Sequence, residues 1–173
     1  MSKSQRLRML VLAGMFASMG VILKHFALTT YEFRFSFYDL PLFLGGMFLG
    51  PLFGLMIGFV VDWVYVLTSP WAFSFNFFTL SAMTWGFMGG LFVYLPKQLN
   101  IKKLALVVIT TSLIAFSFNT WQLYIMQNTG IFAALPFRII AMILKWPIQV
   151  YALHMIYTRI MHATSLSLLN DQY

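Results

Sequence analysis

Residues 36–54 read SFYDLPLFLGGMFLGPLFG, and this stretch decides the fold. After Asp39 it contains only Leu, Pro, Phe, Gly and Met, a composition suited to the inside of a protein or a membrane rather than to a water-exposed surface. The Gly50-Pro51 pair suits a tight turn followed by a helix start, because proline is tolerated in the first helical turn. The stretch therefore predicts two apolar helices joined at Gly50, with a single carboxylate at the beginning of the first.

The composition of the whole chain extends this interpretation. Of its 173 residues 61% are hydrophobic and only 9% are charged, whereas a soluble domain has about 25% charged residues. A soluble chain of this length buries only about 70% of its surface, which would leave too much apolar area in water. We therefore expect an integral membrane protein in contact with the lipid bilayer. The net charge of +7 sits in short clusters between apolar runs, which is typical of membrane orientation and not of nucleic-acid binding.

Polar residues and Pro/Gly breaks divide the chain into six apolar segments: 7–26, 38–50, 51–67, 76–95, 103–126 and 131–161. They predict an all-α integral membrane protein, a compact bundle of six transmembrane helices that forms one domain over residues 1–173. Fusing the second and third segments would give five spans. Six spans place the Lys3 to Arg8 cluster, the Lys97 to Lys103 loop and Arg159 on one side, as the positive-inside rule requires. Both termini are then expected in the cytoplasm, with the first segment kept as a helix rather than cleaved as a signal peptide.

Small residues recur at helical spacing. Glycines stand four apart at 46, 50, 54 and 58, and again at 86 and 90, a pattern that lets transmembrane helix backbones approach closely. Ala13 and Ala17 form a similar pair on the first helix. From spacing alone this face either packs inside the bundle or receives a helix of another protein.

Ionisable side chains in spanning segments are costly and indicate a functional site. The ionisable residues in or beside the outer half of the predicted membrane spans are Arg34, Asp39, Asp62, Arg138 and Lys145. Arg138 and Lys145 are seven residues apart and share a helix face, which Gln149 extends. For Asp62 two interpretations stay open, namely ligand contact and a structural ion pair with Arg138 or Lys145.

The predicted binding site combines charged and aromatic residues. A carboxylate, a guanidinium and aromatic faces suit a flat nitrogen heterocycle, because rings stack and charged groups bond to its polar edge. We predict that the substrate-binding residues are Arg34, Asp39, Asn76, Trp85, Arg138 and Lys145.

Catalytic and metal-binding patterns are missing from the sequence. The chain has no cysteine, no serine preceded two positions earlier by glycine, no His-Glu pair and no phosphate-binding P-loop. We therefore expect a binding protein rather than an enzyme, with no metal and no cofactor, and with any ATP hydrolysis carried out by partners.

Three stretches resemble a known family: FRFSFYDLPLFLGGMFLGPLFGLMIGFVVDW, FNFFTLSAMTWGFMGGLF and FNTWQLYIMQNTGIFAALPFRIIAMILKWPIQ. Together, over residues 13–149, they are similar to the substrate-binding S components of energy-coupling factor (ECF) transporters, in the folate-family branch. The resemblance implies a multi-pass protein of the bacterial cell membrane that captures a vitamin from outside. It also implies a transmembrane coupling subunit and two cytoplasmic ATPase subunits as partners, with delivery by toppling of the S component. Ala13 and Ala17 would meet the coupling subunit, and pterin-binding stretches map onto Arg34, residues 76–81 and Arg138.

Two positions depart from that resemblance. Tyr38-Asp39 stands where small and aromatic residues are expected, and Ala141 stands where a lysine is expected, with Lys145 one turn later. Two ligands therefore stay open: folate, or a smaller heterocycle such as the hydroxymethylpyrimidine precursor of thiamine or pyridoxine. The alternatives of another class are a structural membrane protein without a ligand and an intramembrane hydrolase.

Overall fold

The computed structural model of the chain describes residues 3–29, 34–69, 76–92, 100–127 and 131–170. These residues form six helices and one pair of very short strands. In chain order the elements are α1 (Lys3–His25), β1 (Leu28–Thr29), β2 (Arg34–Phe35), α2 (Asp39–Leu49), α3 (Pro51–Thr68), α4 (Phe77–Phe92), α5 (Ile101–Gln127) and α6 (Ile131–Asn170). The prediction of six helices is confirmed.

The boundaries differ from the predicted segments mainly at chain breaks and ends. Helix α1 begins four residues earlier than predicted, because its first turn is polar and carries no hydropathy signal. Helix α6 runs on to Asn170, beyond the predicted end at 161. The two strands pair antiparallel, Leu28 with Phe35 and Thr29 with Arg34, and were not predicted. A two-residue pair is too short to show the alternation by which strands are found in a sequence.

The stretch around Gly50 forms a helical hairpin. Gly50 adopts φ 91°, in the left-handed region that favours glycine, and Pro51 begins α3 directly after it. A β-carbon at Gly54 would lie 2.8 Å from the Cα of Gly46, so the two helices touch on either side of the turn. A single fused helix is therefore excluded.

Helix α4 packs into this hairpin, and the backbones of the helices are in direct contact. A β-carbon at Gly86 would overlap the carbonyl oxygen of Gly54, and one at Gly46 would overlap that of Gly86. Gly89 and Gly90 approach Phe43 and Pro51 in the same way. The glycine spacing thus produces the close packing that was predicted, and it makes α2, α3 and α4 the tightest part of the bundle.

Helix length sorts the six helices into two groups. Four are long and apolar enough to cross a membrane: α1, α3, α5 and α6. Helices α2 and α4 are apolar but shorter, with 11 and 16 residues, which reach about 16 and 24 Å against a hydrocarbon core of about 30 Å. Their ends therefore lie within the bundle, which allows a polar residue at an α2 or α4 terminus to be buried by its neighbours.

Helix α6 is the least embedded of the long helices. It packs mainly on α5 and touches α2 over a small area, and among its described side chains only Gln149, Val150 and Leu153 are buried. Pro136 and Pro147 lie inside it and each removes a backbone hydrogen bond. In its C-terminal half the Tyr157 ring stacks on Phe48 of α2, with centroids 6.0 Å apart.

The glycine contacts give a stability prediction. Gly86→Ala should lower the free energy of unfolding by about 1–3 kcal/mol or more, because its β-carbon has only backbone to meet. The matched control is Gly14→Ala on α1, where an added β-carbon meets no atom within 4 Å. Thermal unfolding of the detergent-solubilised protein measures both variants. Equal midpoints for the two would contradict the packing described here.

Candidate functional site

Two buried aspartates organise the end of the bundle where α1 finishes and α2 begins, called here the Asp39 end. The first, Asp62 of α3, is 1% exposed and forms an ion pair with Lys24 of α1. Its other oxygen accepts a 2.5 Å hydrogen bond from the Thr79 hydroxyl of α4. One carboxylate therefore joins three helices, and we name Lys24, Asp62 and Thr79 the Asp62 cluster.

Aromatic rings surround the lysine of the Asp62 cluster. The Lys24 Nζ lies 5.0 Å from the ring centroid of Tyr38 and 4.8 Å from that of Tyr65. Such cation–π contacts stabilise a cation that burial has removed from water. Because Lys24 is 5% exposed, carboxylate and rings replace its hydration, and the cluster fits a structural role.

Asp39 begins α2 and forms the second centre. It is 3% exposed, and its Oδ2 accepts hydrogen bonds from Lys145 Nζ at 2.5 Å and from Gln149 Nε2 at 2.6 Å. Lys145 also lies 5.6 Å from the Phe37 ring centroid. We name Asp39, Lys145 and Gln149 the Asp39 cluster, which ties α2 to the middle of α6.

The Asp39 cluster is bonded on one side only. Asp39 Oδ1 and Gln149 Oε1 are both buried, and neither has a hydrogen-bond partner among the residues that the structure describes. Both atoms are acceptors, since Gln149 uses its amide nitrogen toward Oδ2. Acceptors without partners are costly in an apolar surrounding, which makes them suited to bonding a polar molecule.

Arg138 of α6 is the third charged residue of this region. Its guanidinium carbon lies 5.1 Å from the Phe116 ring centroid of α5. Its Nη1 is buried without a hydrogen-bond partner, and no ion pair to Arg138 occurs within the described ranges. The N–H donors of its guanidinium group can therefore bind an anionic or carbonyl group.

Buried polar atoms without a partner concentrate on four helices. In the described part of the chain they are Asp39 Oδ1, Ser81 Oγ, Asn119 Oδ1, Thr120 Oγ1, Arg138 Nη1, Trp146 Nε1, Gln149 Oε1 and His154 Nδ1. All of them belong to α2, α4, α5 and α6, and none belongs to α1 or α3. These atoms are thus absent from the helices that carry Lys24 and Asp62, and we call the described parts of α4, α5 and α6 that carry them, next to Asp39, the polar face.

Burial along α5 and α6 decreases toward the Asp39 end. On α5 Leu104, Val108 and Thr111 are fully buried, whereas Asn119 and Thr120, nearer the Asp39 end, are only half-buried. Gln149 and Leu153 of α6 are buried and Arg138 is half-buried. Side chains of both helices are therefore more exposed toward the Asp39 end than in the core, and the candidate site lies there.

Aromatic side chains border the site on α4 and α5. Phe77 stacks on Phe118 with ring centroids 6.2 Å apart, and the Phe77 backbone nitrogen donates to Gln122 Oε1 at 3.0 Å. Asn76 begins α4 as its N-cap, with its side-chain oxygen accepting from the backbone nitrogens of Phe78 and Thr79. These contacts hold the start of α4 against the end of α5.

The structure brings three of the predicted substrate-binding residues to this face: Asp39, Arg138 and Lys145. Asn76 is half-buried and serves α4 as a cap, while Trp85 lies in the core at 4% exposure, edge-on to Phe43. Arg34 lies in β2, and its side chain is outside the described part of the chain. Ligand contact by these six residues stays a prediction.

The predicted partner face of α1 points partly inward. Ala17 is 8% exposed and belongs to the hydrophobic core, while Ala13 is half-buried against it. Neighbouring Gly20 lies against Leu42 and Val61. These contacts give Ala17 a packing role within the bundle, and contact with a coupling subunit stays a prediction.

One pairing expected from the sequence is corrected. As a structural ion pair Asp62 was expected to bind Arg138 or Lys145, but it binds Lys24. Lys24 was not among the ionisable residues considered as a partner, although it lies within the first predicted segment and in α1, which continues to His25. Thr79 was also missed, since a threonine inside an apolar helix gives no signal of a partner.

The polar groups described at the site suit a polar organic molecule. No group of three His, Cys, Asp or Glu side chains that could hold a metal occurs among the described residues. The available groups are acceptors on Asp39 and Gln149, donors on Arg138 and Trp146, and aromatic faces on α4 and α5. This combination fits a heterocycle with both donors and acceptors on its edge.

Comparison with known proteins matches this architecture to membrane transport. The family model described as "ECF transporter, substrate-specific component" matches residues 8–157. The folate transporter FolT of Clostridium novyi (strain NT) is 26% identical over 147 residues, which cover 84% of this chain and 85% of FolT. A crystal structure of FolT bound with folic acid has a TM-score of 0.74 and 30% sequence identity, covering 88% of this chain and 90% of that one.

The Asp62 cluster gives a prediction about folding. Asp62→Asn removes the carboxylate that Lys24 contacts inside the bundle, so the free energy of unfolding should fall by about 3–5 kcal/mol. The double variant Lys24→Met/Asp62→Asn removes both charges and keeps an acceptor for Thr79, and it should be more stable than Asp62→Asn alone. Thermal unfolding in detergent compares the three proteins. A double variant that is the least stable of the three would argue against the ion pair.

Proposed function

Because the chain belongs to the substrate-specific components of ECF transporters, we propose that it captures a B-vitamin of the folate type from outside the cell. The observation that carries the proposal is its 30% identity and TM-score of 0.74 to FolT bound with folic acid. The candidate site supports it, since buried acceptors, an unpaired guanidinium and aromatic rings suit a pterin ring and its acidic tail.

We propose distinct roles for the residues of the site. Arg138 would bind an anionic or carbonyl group of the ligand, and Asp39 with Gln149 would accept hydrogen bonds from ring nitrogens. Asn76 and Trp85 would shape the α4 wall through the cap and through packing on Phe43. Arg34 would act from β2, at the same end of the bundle.

The proposed mechanism is binding without catalysis. The chain would load its vitamin in the bacterial cell membrane, with both termini in the cytoplasm. It would then deliver the vitamin by toppling on a transmembrane coupling subunit driven by two ATPase subunits. Helix α1, with Ala13 and Ala17, would contribute to the contact with the coupling subunit. The chain has no P-loop of its own, in keeping with ATP hydrolysis by partners.

A smaller heterocycle is the second candidate ligand within the same mechanism. The ion pair between Asp39 and Lys145 favours it, because a neutralised lysine is less available to an acidic tail. Hydroxymethylpyrimidine and pyridoxine are the compounds of this kind to compare with folate.

A vitamin panel tests the proposed function. Folic acid at about 100 times its dissociation constant should stabilise the purified protein by about 2.7 kcal/mol, seen as a higher unfolding midpoint and as heat in titration calorimetry. If hydroxymethylpyrimidine or pyridoxine stabilises the protein and folic acid does not, the ligand is the smaller heterocycle and not folate. Failure of every B-vitamin to bind would contradict ligand capture.

Substitution of Arg138 tests the site. Arg138→Gln should weaken folic acid binding about 10- to 100-fold, the loss expected for one charge-assisted hydrogen bond. The matched control is Arg159→Gln, an exposed arginine on the same helix near its other end, which should bind as the wild type does. Equal affinities of the two variants would place the ligand away from Arg138.

A further inference from the structure

Each aspartate described at the Asp39 end is balanced by a lysine. Among the side chains that the structure describes, Asp62 contacts Lys24 and Asp39 contacts Lys145. On the polar face formed by α4, α5 and α6, Arg138 is the one charged side chain of the described ranges without an ion-pair partner. The described part of this face therefore carries an excess of one positive charge.

Without Asp39 the same face would carry two cations. Arg138 and Lys145 share one side of α6 at a separation of seven residues, about 10 Å along the helix. Two cations at that spacing suit a ligand with two anionic groups. Asp39 removes one of them, since its Oδ2 lies 2.5 Å from Lys145 Nζ and attracts it strongly in a buried setting.

A ligand that binds Lys145 must break the ion pair between Lys145 and Asp39, which costs free energy. A carboxylate that bonded to Lys145 would leave Asp39, 3% exposed, as an unpaired buried anion beside the incoming one. Gln149 alone would then donate to Oδ2. The ion pair therefore acts against a second negative group on the ligand, while Arg138 stays able to bind the first.

We propose that Asp39 determines the charge selectivity of the site. By holding Lys145 it keeps this cation from the ligand, so the site disfavours a second anionic group on the ligand. This inference rests on the proposed function, in which the chain binds a pterin-type vitamin. It assigns to Asp39 a specificity role toward the ligand's tail, separate from any bond to its ring.

The test uses ligands that share one ring and differ in charge. Folic acid has two carboxylates, pteroic acid has one and 6-hydroxymethylpterin has none. Titration calorimetry on the full-length protein in detergent gives a dissociation constant for each. The wild type should bind pteroic acid at least as tightly as folic acid.

A double-mutant cycle isolates the charge of the pair. Asp39→Asn frees Lys145 and should shift the ratio of affinities about tenfold toward folic acid. Lys145→Gln leaves Asp39 unpaired and should shift the ratio toward the uncharged pterin. The double variant Asp39→Asn/Lys145→Gln has no net charge at the pair, as in the wild type, and should return the ratio to the wild-type value.

The ratio distinguishes selectivity from a structural role. Loss of structure would weaken the binding of all three ligands by the same factor and leave the ratios of their affinities unchanged. Asp62→Asn is the matched control, because it removes the other buried carboxylate, on α3, and should not change the ratios. If Asp39→Asn does not fold, Lys145→Gln and the double variant still differ by one charge and decide the question.

Three results would overturn the inference. The first is a wild type that binds folic acid more tightly than pteroic acid. The second is a wild-type ratio in every folded single variant; either result would leave the proposed binding function intact. The third is a double variant that keeps the ratio of Asp39→Asn instead of returning to the wild-type value. If the wild type binds none of the three pterins, both the proposed function and this inference are wrong.

Discussion

The hydrocarbon of a membrane cannot solvate a carboxylate, and the structure depends on how two aspartates are neutralised within it. Asp39 and Asp62 each contact a lysine from another helix, Lys145 of α6 and Lys24 of α1. Breaking such a pair costs far more than a surface contact, because the remaining charge stays buried. The two pairs therefore fix α1 and α6, the first and last helices, to the shared α2–α3–α4 centre at one end of the bundle.

The two pairs differ in what surrounds them. Asp62 uses both oxygens within the protein and Lys24 lies between tyrosine rings, beside helices packed backbone to backbone through glycine. Asp39 uses one oxygen, and the neighbouring polar atoms of α4, α5 and α6 include several without partners among the described residues. One side of the bundle is therefore a closed frame, and the other carries polar groups that have no partners among the described residues.

The sequence predicts what depends on periodicity and hydropathy. It gives the six helices, the hairpin at Gly50-Pro51, the close glycine contacts and the shared face of Arg138, Lys145 and Gln149, because each follows from neighbours within one segment. It does not give the partner of Asp62, since Lys24 is 38 positions away and any lysine near a helix end is equally compatible. Asn76 is similar: a polar residue before an apolar run is either a cap or a ligand contact, and its hydrogen bonds to Phe78 and Thr79 identify the cap.

One oxygen atom connects the charge of the site to the position of α6. Asp39 Oδ2 accepts both bonds that join α2 to α6 at the Asp39 end, and the contact between these helices is otherwise small. Any polar group that draws Lys145 away weakens this link, while the stacking of Phe48 on Tyr157 continues to hold α6 farther along. Because Pro136 and Pro147 reduce the backbone bonding of α6 on either side of Lys145, that segment resists displacement less than an uninterrupted helix would. Selection of a ligand by charge and attachment of α6 are therefore two effects of the same ion pair.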